Sequence, residues 1–382
     1  MRFNFRSSVY LASLAIAATL VFTISPLKSA QSVRPATLEP VVSKAVAFAV
    51  TGPASDMTAS AEQEQPTDGA NEAERSAAGG SLRSEVMADS NVQDQAQQFT
   101  PGPAFVSPLL SFDGISNQDG FDVNGSRFIP ANATGDVGPN HYVQGTNALW
   151  RVWDKNGNPL IAPTRLSKIL APAGPPCNFS SRSSTVVLYD SLADRWVIGE
   201  SAYAATGTVT TPPYFECIAV SQTPDPTGAW FSYAFELEGS DFPDSPKLGV
   251  WPDGYYMTVN QLANGSSPNG TGVYVFDRER MLAGDPNAIS IHFNLDLTSH
   301  PEGISGMLPS DFDGLIPPPD GRPNTFAYFS SRVFGDSSDS LHLFDFHADF
   351  ANPSLSTFTE RPESPVNVAA FNPAARSPAS CA

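Results

Sequence analysis

The sequence predicts an all-β fold made of propeller-like repeats, about four of them. Two observations carry this. Runs rich in Val, Tyr, Phe and Trp are separated by Gly, Pro, Asp and Asn clusters, and no long amphipathic helix interrupts them. The chain also resembles itself in a fixed order. One strand type recurs as Tyr142-Val-Gln-Gly-Thr-Asn147, Trp196-Val-Ile-Gly-Glu-Ser201, Tyr255-Tyr-Met-Thr-Val-Asn260 and Ala327-Tyr-Phe-Ser-Ser-Arg332. A second type follows it each time: Arg151-Val-Trp-Asp154, Ile218-Ala-Val-Ser221, Tyr274-Val-Phe-Asp277 and His342-Leu-Phe-Asp345. A unit of roughly 60 residues with several short strands has the dimensions of a propeller blade with long loops. The first strand type is read as the innermost strand of each blade.

From the N-terminus, residues 1–30 read as an export signal. Arg2 and Arg6 precede an apolar run from Val9 to Ile24, shorter than the ~20 residues a spanning helix needs. Ala30 is the expected cleavage residue; Lys28 two positions earlier suits cleavage poorly and leaves an uncleaved anchor open. Residues 31–104 are rich in Ala, Ser, Gln, Glu, Asp, Gly and Pro and nearly free of aromatics, so they are read as a disordered propeptide or tether. Within them, Val41 to Val50 is the one stretch suited to an isolated strand or helix turn. The propeller-like domain is assigned to 105–376, with short helices at Leu166–Leu170 and Arg278–Leu282, and 377–382 reads as a tail.

Composition narrows the function. Lys and Arg number 21 against 39 Asp and Glu, giving a net charge of −18. Nucleic acid is therefore excluded as a partner, because no cationic footprint exists to displace counterions from phosphate. Nucleotide-binding loops, a nucleophile elbow and the helical zinc motif are all missing from the sequence. No segment after the leader could span a membrane. The expected location is secreted or extracytoplasmic.

Three Cys are too few for a disulfide scaffold. Cys177 and Cys217 flank the second unit's first strand, and in an oxidising compartment they are expected to pair. Asp113, Asn117, Asp119 and Asp122 form an oxygen-rich segment; the plain reading is a solvated turn, and the alternative is a structural Ca2+ site. Asp154, Asp277 and Asp345 close second-type strands and are read as turn residues. For catalysis the weak candidates are Glu200, late in a first-type strand, and Asp136, just before another. Glycoside hydrolysis would need two carboxyls ~5–9.5 Å apart, and spacing picks out no such pair. His141 is read as capping the first inner strand. Trp153, Trp230, Trp251, Tyr255 and Tyr256 are read as inter-blade core rather than sugar platforms.

Thr223-Pro-Asp225-Pro-Thr-Gly228-Ala-Trp230 resembles the Asp-box hairpin of sialidase-like propellers, with one extra residue between Asp and Gly. In that family the box is a structural turn. More broadly, five stretches resemble a family of exported bacterial proteins with propeller-like repeats and no firmly assigned activity. They are Gly135-Asp-Val-Gly-Pro-Asn-His-Tyr-Val-Gln144, Val187-Leu-Tyr-Asp-Ser-Leu-Ala-Asp-Arg-Trp196, Cys217-Ile-Ala-Val-Ser-Gln-Thr-Pro-Asp-Pro-Thr-Gly228, Lys247-Leu-Gly-Val-Trp-Pro-Asp-Gly-Tyr-Tyr256 and Leu308-Pro-Ser-Asp-Phe-Asp-Gly314. The resemblance implies a fold and an exported location, and no reaction. Two positions depart from it. Pro130-Ala-Asn132 stands where the family has Pro-Pro-Asp, and Ser183-Ser-Thr185 where it has Gly-Asp-Pro, so each replacement removes a carboxylate. Relatives also continue past this C-terminus with further blades.

The function expected from these residues is a binding or interaction module for a glycan or an extracellular protein. The alternatives are a polysaccharide hydrolase or lyase using carboxylates near the axis, and a non-functional truncated relative.

Overall fold

The computed structural model describes residues 38–57, 109–125, 127, 131–175, 177–178, 185–206, 209–300 and 303–371. The export signal expected over 1–30 and the tail at 377–382 lie outside the described residues.

Four antiparallel meanders of four strands follow one another along the chain. The first contains β2 (Thr134–Val137), β3 (His141–Thr146), β4 (Leu149–Asp154) and β5 (Thr164–Arg165). The second contains β6 (Val186–Asp190), β7 (Arg195–Thr206), β8 (Val209–Ser221) and β9 (Trp230–Leu237). The third contains β10 (Phe242–Val250), β11 (Gly254–Ala263), β12 (Ser267–Asp277) and β13 (Ile289–Asp296). The fourth contains β14 (Leu308–Pro309), β15 (Asn324–Ser330), β16 (Ser340–His347) and β17 (Thr357–Glu360), and β18 (Val366–Asn367) also pairs with β16. This is the expected all-β, propeller-like architecture with four blades.

The recurring strand types are the two central strands of each blade, β3/β4, β7/β8, β11/β12 and β15/β16. The first type is therefore the second strand, not the innermost one. A central strand is covered on both faces by neighbouring blades, so its apolar run is nearly continuous, as in the buried stretch Gly270–Asp277 of β12. The innermost strands are β2, β6, β10 and β14, which meet through β2 on β6, β6 on β10 and β10 on β14.

Three apolar cores fill the junctions between successive blades. Trp150, Trp196 and Trp230 lie in the first, Tyr233, Phe235, Tyr255 and Phe276 in the second, and Tyr256, Phe293, Phe326 and Phe346 in the third. Each such side chain contributes roughly 1.5–3 kcal/mol through burial. Among the described residues no fourth core joins the last blade to the first. Val137 (54%), Leu308 (51%) and Phe329 (48%) are exposed on those two blades.

Part of the stretch read as disordered is ordered. β1 (Val41–Val50) is neither isolated nor helical. Val41–Lys44 pair antiparallel with β13 and Ala45–Val50 with β9, so one strand bridges the outer edges of the second and third blades. Thr51 continues the zipper, exchanging bonds with the Trp230 backbone. The partners that order β1 are the open edges of β9 and β13, which the segment's own composition does not reveal.

Cys177 and Cys217 form the expected disulfide, with Cα atoms 5.8 Å apart, and anchor the loop after the first blade to β8. The two short helices also form, α2 at Ser167–Leu170 and α3 at Arg278–Ala283. A third, α1 at Asn117–Asn124, replaces the turn expected there.

Candidate functional site

A pocket of about 410 Å³ opens at the axis, where the four blades meet. Each innermost strand contributes to it: residues 132–134 with β2, Thr185 and Val186 with β6, residues 246–248 of β10, and β14. The size falls within the range of small-ligand sites. Two wall segments are locally strained. Asn132 (φ 44°) and Ser245 (φ 51°) occupy the left-handed region that non-glycine residues seldom adopt. Ser245 belongs to the bulge that breaks the β10–β11 register between Asp244 and Lys247. Bulges re-aim side chains, and the residues after this one line the pocket.

The lining contains one charged residue, Lys247, and no carboxylate. Lys247 is exposed, and no described residue hydrogen-bonds or ion-pairs with its ammonium group. Asn132, one of the two positions at which the sequence departs from the resembling pattern by lacking an acid, lines this pocket. The other, Ser184, lies outside the described residues.

The carboxylates near the axis act as ties between blades. Asp136 of β2 accepts the Tyr189 N–H of β6 at 2.7 Å and its neighbour Val137 N–H at 2.7 Å. Asp311, just after β14, accepts the Val250 N–H of β10 at 2.7 Å. Both therefore occupy backbone donors on the adjacent blade's innermost strand, which carries an edge without a strand partner. Burial, with the charges of Asp313 and Asp136 adding, pushes the Asp311 carboxyl up to about 6. The accessible surface still leaves Asp311 open to solvent, which screens this effect.

Glu200 lies on β7, opposite Cys217 and 2% exposed, and so not on an innermost strand. The fold places it inside the second blade and Asp136 on the first. Asp190 is the last residue of β6 and fully buried against Arg278.

The segment considered for Ca2+ has other uses for its oxygens. Ser116 and Asp119 form a reciprocal capping box on α1, and Gln118 donates to Asp122 at 2.7 Å. Asn117 opens the helix and Asp113 lies in its lead-in. Among the described residues no group of three or more His, Cys, Asp or Glu is placed to hold a metal ion. Ser116→Ala removes the cap acceptor and should cost about 1 kcal/mol in a urea melt. An unchanged midpoint would mean that the cap contributes nothing to stability.

Asp154 and Asp277 are turn and cap residues as expected. Asp154 accepts the Asn156 and Asn158 N–H groups, and Asp277 accepts Arg280 N–H at the start of α3. Asp345 differs, accepting the Thr325 hydroxyl across the β15–β16 pair at 2.8 Å. The Asp-box-like hairpin is structural: Asp225 accepts both Thr227 donors, and the hairpin carbonyls receive the Trp196 and Trp230 indoles. His141 opens β3 rather than an innermost strand, 3.8 Å from Asp225. Trp153, Trp230, Tyr255 and Tyr256 are buried in the blades, and Trp251 donates to the Arg322 carbonyl. No described helix is long and apolar enough to cross a membrane.

No protein-family model and no curated protein matches the chain. Among solved structures, it is similar to an alpha-L-arabinofuranosidase from Lactobacillus brevis, with 13% identity, a TM-score of 0.30, and coverage of 62% of this chain and 73% of that one. It is also similar to a putative exo-beta-1,3-galactanase from Bifidobacterium bifidum s17, with 10% identity, a TM-score of 0.27, and coverage of 64% and 90%. At these scores neither likeness carries an argument about fold or chemistry.

Proposed function

We propose that the chain is an exported binding module that seats a glycan in the axial pocket and does not cleave it. One observation carries this reading: all four blades contribute to a ligand-sized pocket whose lining has no carboxylate. Hydrolysis would need two carboxyls facing a substrate. The nearby acids Asp136 and Asp311 instead hold backbone N–H groups of adjacent blades. Export is supported by the basic and apolar leader and by the disulfide, which persists in oxidising compartments. Membership of the exported repeat-protein family is part of this proposal and rests on the long motifs alone.

A second reading, a polysaccharide hydrolase or lyase, is favoured by Asp311. A carboxyl pushed up to about 6 beside further acids is suited to general acid–base work. One experiment separates the two. The purified chain is incubated with a panel of neutral and acidic oligosaccharides, and melting temperature and newly formed chain ends are followed together. Binding predicts a rise in Tm with at least one glycan, worth about 2.7 kcal/mol at a hundredfold excess over Kd, and no product. Product that accumulates with the chain and disappears with Asp136→Asn or Asp311→Asn would establish the enzyme. No shift with any glycan would remove the binding reading.

A further inference from the structure

We infer that the axial pocket selects a sugar acid, a hydroxylated ring carrying one carboxylate, with Lys247 as the carboxylate contact. This deepens the binding reading above and rests on it. The inference comes from the charge of the lining. The chain carries −18 overall, so an anion is repelled from most of its surface. Lys247 is the exception at the axis: its ammonium has no partner among the described residues, and no lining side chain is negative. The nearby acids Asp136 and Asp311 lie outside the lining with their carboxylates turned to backbone N–H groups, so Lys247 is the charged side chain that a seated ligand touches. A lysine without a counterion at the mouth of a preformed pocket attracts an oxyanion as a point charge.

The remaining polar lining suits hydroxyl groups. Thr185 donates its hydroxyl proton to the Thr146 carbonyl at 3.0 Å, which leaves its oxygen free to accept. Thr134 receives only a long 3.4 Å bond from Val187 N–H, so its hydroxyl proton can be directed at a ligand. Pro246, Leu248 and Pro309 give apolar surfaces for the C–H faces of a ring. The neutral residue at 132 helps to leave Lys247 in control of the charge. An acid there would add a negative side chain to the lining that Lys247 shares.

The test is equilibrium binding of galacturonate, galactose and inorganic phosphate to the full chain, followed by calorimetry and thermal shift. Galacturonate should bind, galactose at least about tenfold more weakly, and the difference should shrink as salt is raised. Lys247→Met should remove the preference for the acid while leaving the melting temperature of the free chain unchanged, since Lys247 is exposed. Lys247→Arg should keep the preference. Asn132→Asp, whose side chain tolerates a positive φ, should weaken galacturonate binding by a similar factor without unfolding the chain. Equal binding of galactose and galacturonate, or a preference that survives Lys247→Met, overturns the inference and leaves the binding reading standing. Phosphate binding as tightly as galacturonate would also overturn it, because the ring would then contribute nothing. Absence of binding by every sugar would remove the reading on which it rests.

Discussion

Glu216→Gln should abolish a loss of stability of about 2 kcal/mol that the wild-type chain shows between pH 6.5 and 9. Glu216 sits on β8, fully buried between the second and third blades. Its Oε2 accepts the Ser201 hydroxyl at 2.8 Å, and its Oε1 has no hydrogen-bond partner among the described residues. Burial pushes this carboxyl from an ordinary 4.5 up to about 8. The unfolded chain thus releases the proton near 4.5 and the folded chain retains it to about 8, so stability falls as pH rises through that window. The full fall amounts to roughly 4–5 kcal/mol.

Two other groups share the lower part of the window. Burial holds His292 down to about 4, so the unfolded chain takes up a proton below about 6.5 that the folded chain refuses, and stability rises with pH there. Asp311, raised to about 6, acts in the same direction as Glu216. Above about pH 7.5 both are spent, and between pH 6.5 and 7.5 they together offset the fall from Glu216 by only a few tenths of a kcal/mol. Urea titrations of wild type and Glu216→Gln at pH 6.5, 7.5 and 9 give the slope directly. A wild-type midpoint that does not move would mean that water reaches the carboxyl. Gly199 shows why water is kept out: a Cβ there would come within 3.0 Å of Glu216 Oε1 and 3.2 Å of Leu248, which itself lines the axial pocket. The same neutral carboxyl therefore stands just behind the pocket wall.

What the sequence discloses depends on how far each signal is local. The paired central strands are legible because two covering faces demand long apolar runs, and four copies in fixed order make them unmistakable. The innermost strands are not. β14 is Leu308–Pro309 alone, and β2 is Thr-Gly-Asp-Val, too short and too polar to stand out from a loop. β1 carries a strand-like composition, but its role is set by two edges nearly two hundred residues and more away. The site is legible in pieces. Asn132 stands out as a missing acid, yet only the fold shows that it faces a pocket shared with Lys247. Lys247 and Asp311 both lie inside recognisable motifs, and nothing in those motifs marks one as a pocket cation and the other as a clamp on Val250. Asp136 is visible as an acid near the axis, whereas its hydrogen bond to Tyr189 N–H crosses between blades and leaves no trace in spacing.

Asp190→Asn should be the most damaging single polar change, costing about 3–5 kcal/mol in equilibrium unfolding. Asp190 ends β6 with its side chain wholly buried, and Arg278, 12% exposed, grips it bidentately at 2.7 and 3.0 Å. Tyr255 donates its hydroxyl to the same carboxylate at 2.9 Å, and the Leu192 and Ala193 N–H groups complete its shell. The amide has one acceptor where the carboxylate has two, and its NH2 would face donors. The guanidinium would lose its countercharge and one of its two bonds to this side chain, keeping the Pro252 carbonyl and at most one amide oxygen. Arg278→Met should cost less, because Asp190 would keep three donors after the arginine has gone. The double variant should fall short of the summed losses by roughly 1–3 kcal/mol, the coupling expected of groups in direct contact. The asymmetry separates a buried charge network from packing, which would penalise the larger truncation more. It also bears on the pocket, because this network ties an innermost strand of the second blade to the third. Asp190→Asn should therefore weaken binding at the axis under conditions where the chain is still folded, and Arg278→Met should do so to a smaller degree. If Asp190→Asn costs less than about 1 kcal/mol, the blades are held in place by their apolar cores alone and the polar tie is dispensable.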